Sequence, residues 1–151
     1  MSTQPQHEDD LSAIHLWLLL WKASRAVEQH AHRSVARFGM GASDFGVLEA
    51  LLHKGPLTVK QLGEKVLLTS GSMTTAVDRL EKRGLVARSS DAKDRRARVI
   101  SLTAAGKELI SEAFAGHRLA LESAISGFSQ QDRAEILPLL RRLGRTAENN
   151  L

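Results

Sequence analysis

The chain contains no cysteine. That absence excludes disulfide cross-links, thiolate zinc sites and thiol redox sensing within it. Long apolar runs are missing too. The longest strongly apolar stretch, Leu16 to Trp21, falls far short of the roughly 18 residues a membrane span requires. The N-terminus carries Glu8, Asp9 and Asp10 instead of a positive leader region, so no secretory signal is expected. Catalytic signatures are absent as well. The segment TSGS, residues 69–72, lacks G-x-S-x-G spacing, and no HExxH occurs. Gly39-Met40-Gly41 followed by Gly46 fits neither the spacing nor the preceding strand of a dinucleotide fingerprint. His30 and His32 stand two apart on a predicted helix and point away from one another, while His7, His53 and His117 are scattered. The expectation is a reduced, cytoplasmic protein with no membrane association, no cofactor, no metal and no enzymatic reaction.

What is present is charge in one place. The 151 residues carry a formal net charge of +4. Residues 79–98 hold eight bases (Arg79, Lys82, Arg83, Arg88, Lys93, Arg95, Arg96, Arg98) and three acids (Glu81, Asp91, Asp94), a local +5. Everything else is close to neutral, so an anionic partner would meet this segment first. The length suits one domain or one domain with an appendage.

Residues 1–9 read as a flexible polar tail, and residues 10–146 as the folded domain. From Asp10 to Phe38 neither Pro nor Gly interrupts a helical pattern. The first half of that helix is apolar nearly all round, so more than one surface must cover it, most simply a second subunit. Gly39 and Gly41 stop it. Ser43 is the expected N-cap of a short helix over Asp44 to His53, ended by Gly55 and Pro56. Thr58 and Gln61 have the spacing of a capping box opening a helix with Val59, Leu62 and Val66 on one face. After a break at 68–70, GSMTTAVDRLEKR forms another helix, stopped by Gly84. Met73, Ala76, Val77 and Leu80 make its apolar stripe, and Ser72, Thr74, Thr75 and Arg79 fall mainly on the other side. LVARS and RVISL then alternate like two strands around the polar tip SDAKDRRA. Thr103 caps a second long helix to about Ser126, and Ser129 caps a last one that Pro138 is expected to kink or split.

Two short helices, the second with a small polar outer face, suit the DNA major groove, and a basic hairpin suits the phosphates or narrow minor groove beside it. Taken alone, a helix bearing Ser and Thr is more often a solvated helix, and a basic hairpin tip a solubility feature. Their order within 45 residues, which hold most of the excess positive charge, favours nucleic acid. The segment VLLTSGSMTTAVDRLEKRGLVARSSDAKDRRARVISLTAAGKEL resembles the winged helix-turn-helix of MarR-family transcriptional regulators. The carrying motifs are RLEKRGLV, the wing residues Asp94-Arg95-Arg96, and LTAAG from Leu102 to Gly106.

The resemblance implies a mainly α fold with a small β-hairpin wing, dimerised through helices at 10–38 and 103–146, with a DNA-binding lobe at 43–102. It implies a homodimer on a pseudo-palindromic duplex, acting as a repressor released by a small aromatic or anionic ligand. Ser70, Ser72, Thr74, Thr75 and Arg79 would lie on the recognition helix. Arg96 would enter the minor groove buttressed by Asp94, Arg95 and Arg98 would meet phosphate, and Lys60 and Gln61 would reach the backbone from the preceding helix. Candidates for a ligand pocket are His15, Trp17, Trp21, Arg25, Phe45 and Met73, although Trp17, Trp21 and Phe45 read more readily as plain core. The rival reading is a ligand-binding or protein-interaction module that keeps the fold with weak or no DNA binding.

Overall fold

A computed structural model describes residues 11–66 and 70–151. The tail at 1–9 lies outside the described residues, as does most of the break at 68–70. Six helices and three strands follow one another: α1 (Ala13–Ala36), α2 (Ala42–Lys54), β1 (Leu57–Thr58), α3 (Val59–Val66), α4 (Ser70–Lys82), β2 (Val86–Ser90), β3 (Arg98–Leu102), α5 (Ala104–Ala124) and α6 (Gln130–Asn149).

The strands form an antiparallel sheet in the order β1-β3-β2. Val86 pairs with Leu102 and Ser90 with Arg98, which holds the wing in register. The third strand was not expected: β1 has two residues, Leu57 and Thr58 beside Ile100 and Val99, too few to alternate.

The core lies in the middle of the chain. Leu48 from α2, Leu62 from α3, Met73, Ala76, Val77 and Leu80 from α4, Ile100 from β3 and Ile110 from α5 are all fully buried. The apolar stripe read on α4 is therefore its packed face. Thr58 and Gln61 do form a capping box, with the Thr58 amide donating to Gln61 Oε1 at 2.9 Å and the Gln61 amide to Thr58 Oγ1 at 3.2 Å.

Three sequence expectations need correction. Ser43 is not an N-cap: α2 begins at Ala42, and the Phe45 amide donates to the Gly41 carbonyl at 3.0 Å, closing the first turn on Gly41 instead. Pro138 does not split the last helix, which runs unbroken from Gln130 to Asn149. The carbonyl deprived of a donor belongs to Ala134, and both residues are exposed, so water can take its place. The first helix is shorter than expected, with Ser12 as its cap, accepting from the His15 amide at 3.2 Å.

The motif LTAAG joins the wing to α5. Thr103 Oγ1 donates to the Gly84 carbonyl at 2.6 Å and accepts from the Gly106 amide at 3.0 Å. Gly84 turns the chain at φ +70°. A Cβ on Gly106 would sit 1.9 Å from the Leu85 carbonyl oxygen, so only glycine lets α5 start this close to the base of the wing.

The two ends differ from this middle. α6 has no buried residue, and α1 buries only Ser34 and Val35. Among the described residues, no helix is long and apolar enough to cross a membrane.

Candidate nucleic-acid interface

α4 presents Ser72, Thr74, Thr75, Asp78, Arg79 and Lys82 on the face opposite its buried stripe, all exposed. Ser70 opens the helix. The Thr75 hydroxyl donates to the Gly71 carbonyl at 3.0 Å, so it faces outward as an acceptor. Lys60 is exposed on α3, whereas Gln61 spends its carbonyl oxygen on the capping box.

The Arg79 guanidinium is clamped. Its Nε donates to both carboxylate oxygens of Asp44 at 3.0 Å, and Nη2 donates to Oδ1 at 2.5 Å. The hydrogen bonds and charge of Asp44 raise the arginine pKa further above its ordinary value, so the group is cationic at any working pH. Neither Asp78 nor Glu81, its neighbours on the helix, is the partner.

Those two acids instead hold the wing. Arg88 on β2 donates to Asp78 at 2.5 Å and to Glu81, a fork that straps the first wing strand to α4. Its pKa is raised chiefly by the Asp78 hydrogen bond. Two ion pairs thus tie the first wing strand to the helix. The sequence did hint at this: Asp78 and Glu81 stand three apart on one face of α4, beside a lone arginine in the next strand. Asp44 left no such local signal.

At the tip, Asp94 accepts from the Arg96 amide at 2.9 Å, and the Ala97 amide donates to the Asp94 carbonyl at 3.0 Å. Asp94 therefore buttresses Arg96 through its backbone, as a turn residue, and not through its guanidinium. Arg98 Nη1 donates to Ser90 Oγ across the hairpin at 3.2 Å. Arg95 and Arg96 are exposed, and among the described residues no carboxylate pairs with either guanidinium. The tip is held by backbone turn hydrogen bonds and is cationic at its outer edge.

The ligand candidates do not converge. Trp17 and Trp21 stack along exposed α1 with centroids 6.3 Å apart, and Arg25 lies 5.4 Å over the Trp21 ring. His15 is on the same helix, and Met73 is core. Phe45 borders a cavity away from α1's apolar half, a space of about 300 Å³ between α2 and α5 that Glu49, Phe114, His117 and Arg118 also line. His117, read in the sequence only as an isolated histidine, packs 4.7 Å from the Phe45 ring. Ser34 Oγ gives its single proton to the Ala31 carbonyl at 2.7 Å, so its 2.7 Å contact with His117 Nδ1 requires the imidazole to donate. Burial lowers the His117 pKa, against an opposing pull from Glu49, which leaves Nε2 as an acceptor. Among the described residues no cluster of three or more metal-ligating side chains occurs.

Known proteins resemble this chain in sequence and fold. The MarR family pattern matches residues 38–97. The HTH-type transcriptional regulator MhqR of Bacillus subtilis (strain 168) is 32% identical over 136 residues, 90% of this chain and 94% of that protein. A probable transcriptional regulator from Pseudomonas aeruginosa superposes with a TM-score of 0.70 at 29% identity, over 80% of this chain and 93% of that one. Bordetella bronchiseptica BpsR, whose DNA binding is regulated by 6-hydroxynicotinic acid, gives a TM-score of 0.75 at 26% identity over 93% and 98%. With the buried stripe of α4, the strapped wing and the LTAAG junction all in place, the chain belongs to the MarR family of helix-turn-helix transcriptional regulators.

Proposed function

We propose that this regulator acts in the cytoplasm as a homodimeric repressor of a pseudo-palindromic operator and releases it on binding a small ligand. The observation that carries the DNA reading is the Arg88 strap, which makes the polar face of α4 and the cationic wing one rigid reader. Ser72, Thr74 and Thr75, near the start of α4, meet base edges in the major groove, where recognition helices place their N-terminal residues. Arg96 enters the adjoining minor groove, and Lys60, Arg95 and Arg98 meet phosphate. Two such readers sit about 34 Å apart on the duplex.

The dimer reading is supported by the uncovered helices. Leu16, Trp17, Leu19 and Leu20 of α1 and Leu137, Leu139 and Leu140 of α6 are at least two-fifths exposed in the single chain. Exposed apolar surface on this scale marks an interaction face. The Phe45–His117 cavity supports the ligand reading: apolar rings, an Nε2 acceptor and Arg118 suit a small aromatic with a hydroxyl or carboxylate. A relative regulated by 6-hydroxynicotinic acid fits that chemistry.

The test is a salt-titrated binding assay on DNA from upstream of the protein's own gene against unrelated duplex. Tight selective binding that weakens as salt displaces counterions is expected. Weak, equal binding to both at every salt concentration would instead favour the interaction module.

A further inference from the structure

Among the described residues, Asp44 is the one buried acid. Its side chain is 5% exposed at the start of α2, while that of its partner Arg79 is 47% exposed. A buried carboxylate is tolerable only when paired, and this one is paired twice. Arg79 grips it through Nε and Nη2, and Arg83 Nη1 lies 3.9 Å from Oδ2 while donating to the Gly39 carbonyl at 3.2 Å. The carboxylate thus joins the far end of α4 to the α1–α2 turn across 35 residues of sequence.

The geometry also says which edge of Arg79 is left over. A guanidinium has five N–H donors in a fixed fork. Asp44 occupies Nε and one side of Nη2, which leaves the Nη1 donors unspent by it, and Arg79 lines a cleft of about 420 Å³ with Thr75, Asp78, Lys82 and Arg83. Arg79 stands nine residues after Ser70, about 13 Å further along the axis at 1.5 Å per residue. That is past the N-terminal turns that read base edges and level with the flanking backbone.

We infer that Asp44 is a positioning residue for DNA binding: it fixes the Arg79 guanidinium with its free edge turned to a backbone phosphate, which Lys82 and Arg83 flank. The inference rests on the DNA reading above. It makes Arg79 a phosphate contact of set orientation and adds Lys82 and Arg83 to the interface.

The sign of one substitution separates this from plain electrostatics. Asp44→Asn removes a negative charge from beside the DNA, so charge alone predicts tighter binding. Positioning predicts weaker binding, by about tenfold, because the Arg79 fork loses its charged anchor. Binding is measured on a duplex that the wild-type protein selects from a random pool and on an unrelated duplex, across a salt series. The loss should be equal on both, since phosphate carries no sequence, and should vanish in an Arg79→Gln background. Arg79→Lys keeps the charge and a partner for Asp44, so it tests the fork in a chain that folds; it should bind several-fold more weakly. An Asp44→Asn protein that binds as tightly as wild type or tighter overturns the inference, as does Arg79→Lys at wild-type affinity. Wild-type protein that retains no duplex at low salt overturns the DNA reading and this inference together.

Discussion

α4 and α6 are both amphipathic helices, and they solve opposite problems. α4 has 13 residues and buries Met73, Ala76, Val77 and Leu80 completely within its own chain. α6 has 20 and buries none, although Leu137, Leu139 and Leu140 are apolar. A helix in water needs its apolar stripe covered to be stable. The lobe around α4 has its cover built in; α1 and α6 leave theirs exposed in the single chain, to be covered by a second copy in the proposed dimer. On the proposed function, the reader is therefore a property of one chain, and the spacing between two readers a property of the pair.

Placing a charge on the uncovered face should break the pair while sparing the reader. Leu140→Asp forces a carboxylate into what the dimer buries, where an unpaired charge is costly. Sedimentation at micromolar concentration should give monomer, and affinity for a two-half-site duplex should fall by about 100-fold or more, since the second contact is no longer intramolecular. A dimer of unchanged stability would move the interface away from α6.

Truncating the covered stripe should do the reverse. Leu80→Ala removes a fully buried side chain and should cost about 2–5 kcal/mol of lobe stability by denaturant unfolding, independent of protein concentration. Leu140→Ala should instead destabilise in a concentration-dependent way, because its cover is another protomer. If both losses depended on concentration alike, the lobe would not fold on its own core.

Arg96→Ala sharpens the comparison within the reader. Its side chain supports nothing in the fold, since Asp94 holds only its amide. Thermal stability and dimerisation should be unchanged, while operator affinity falls by roughly tenfold and the salt slope by about 1. Affinity equal to wild type would remove Arg96 from the interface.

How far the sequence could be read follows the same division. The α4 stripe, the wing strands and the caps at Thr58, Thr103 and Ser129 were legible because each depends on residues a few positions apart. The uncovered first helix was legible from its apolarity alone. Asp44 was not, because its partner lies 35 residues away and nothing local marks a buried aspartate. A still greater separation hides the Ser34–His117 contact, 83 residues apart. Gln61 was read as reaching the DNA backbone and Asp94 as the buttress of Arg96; in the structure Gln61 also closes a capping box and Asp94 accepts from the Arg96 amide in a turn. A polar residue's spacing shows what it can reach, not which of its reachable partners is nearest.

His117 gives the smallest expected effect and the one that links the two regions, since it ties Ser34 of α1 to α5 beside Phe45 of α2. Burial disfavours its charged form and lowers its folded pKa, whereas the unfolded chain binds a proton near the ordinary value of about 6.5. The unfolded state therefore takes up more protons in the window below about pH 6.5. Stability from this group is complete above that pH and is lost as pH falls through the lowered folded value, below which the term is flat. His117→Gln should remove this component of the pH dependence, read as thermal midpoints between pH 7.5 and 5. A slope of equal size in the variant would assign the dependence to other groups and leave the imidazole charged where it meets Glu49.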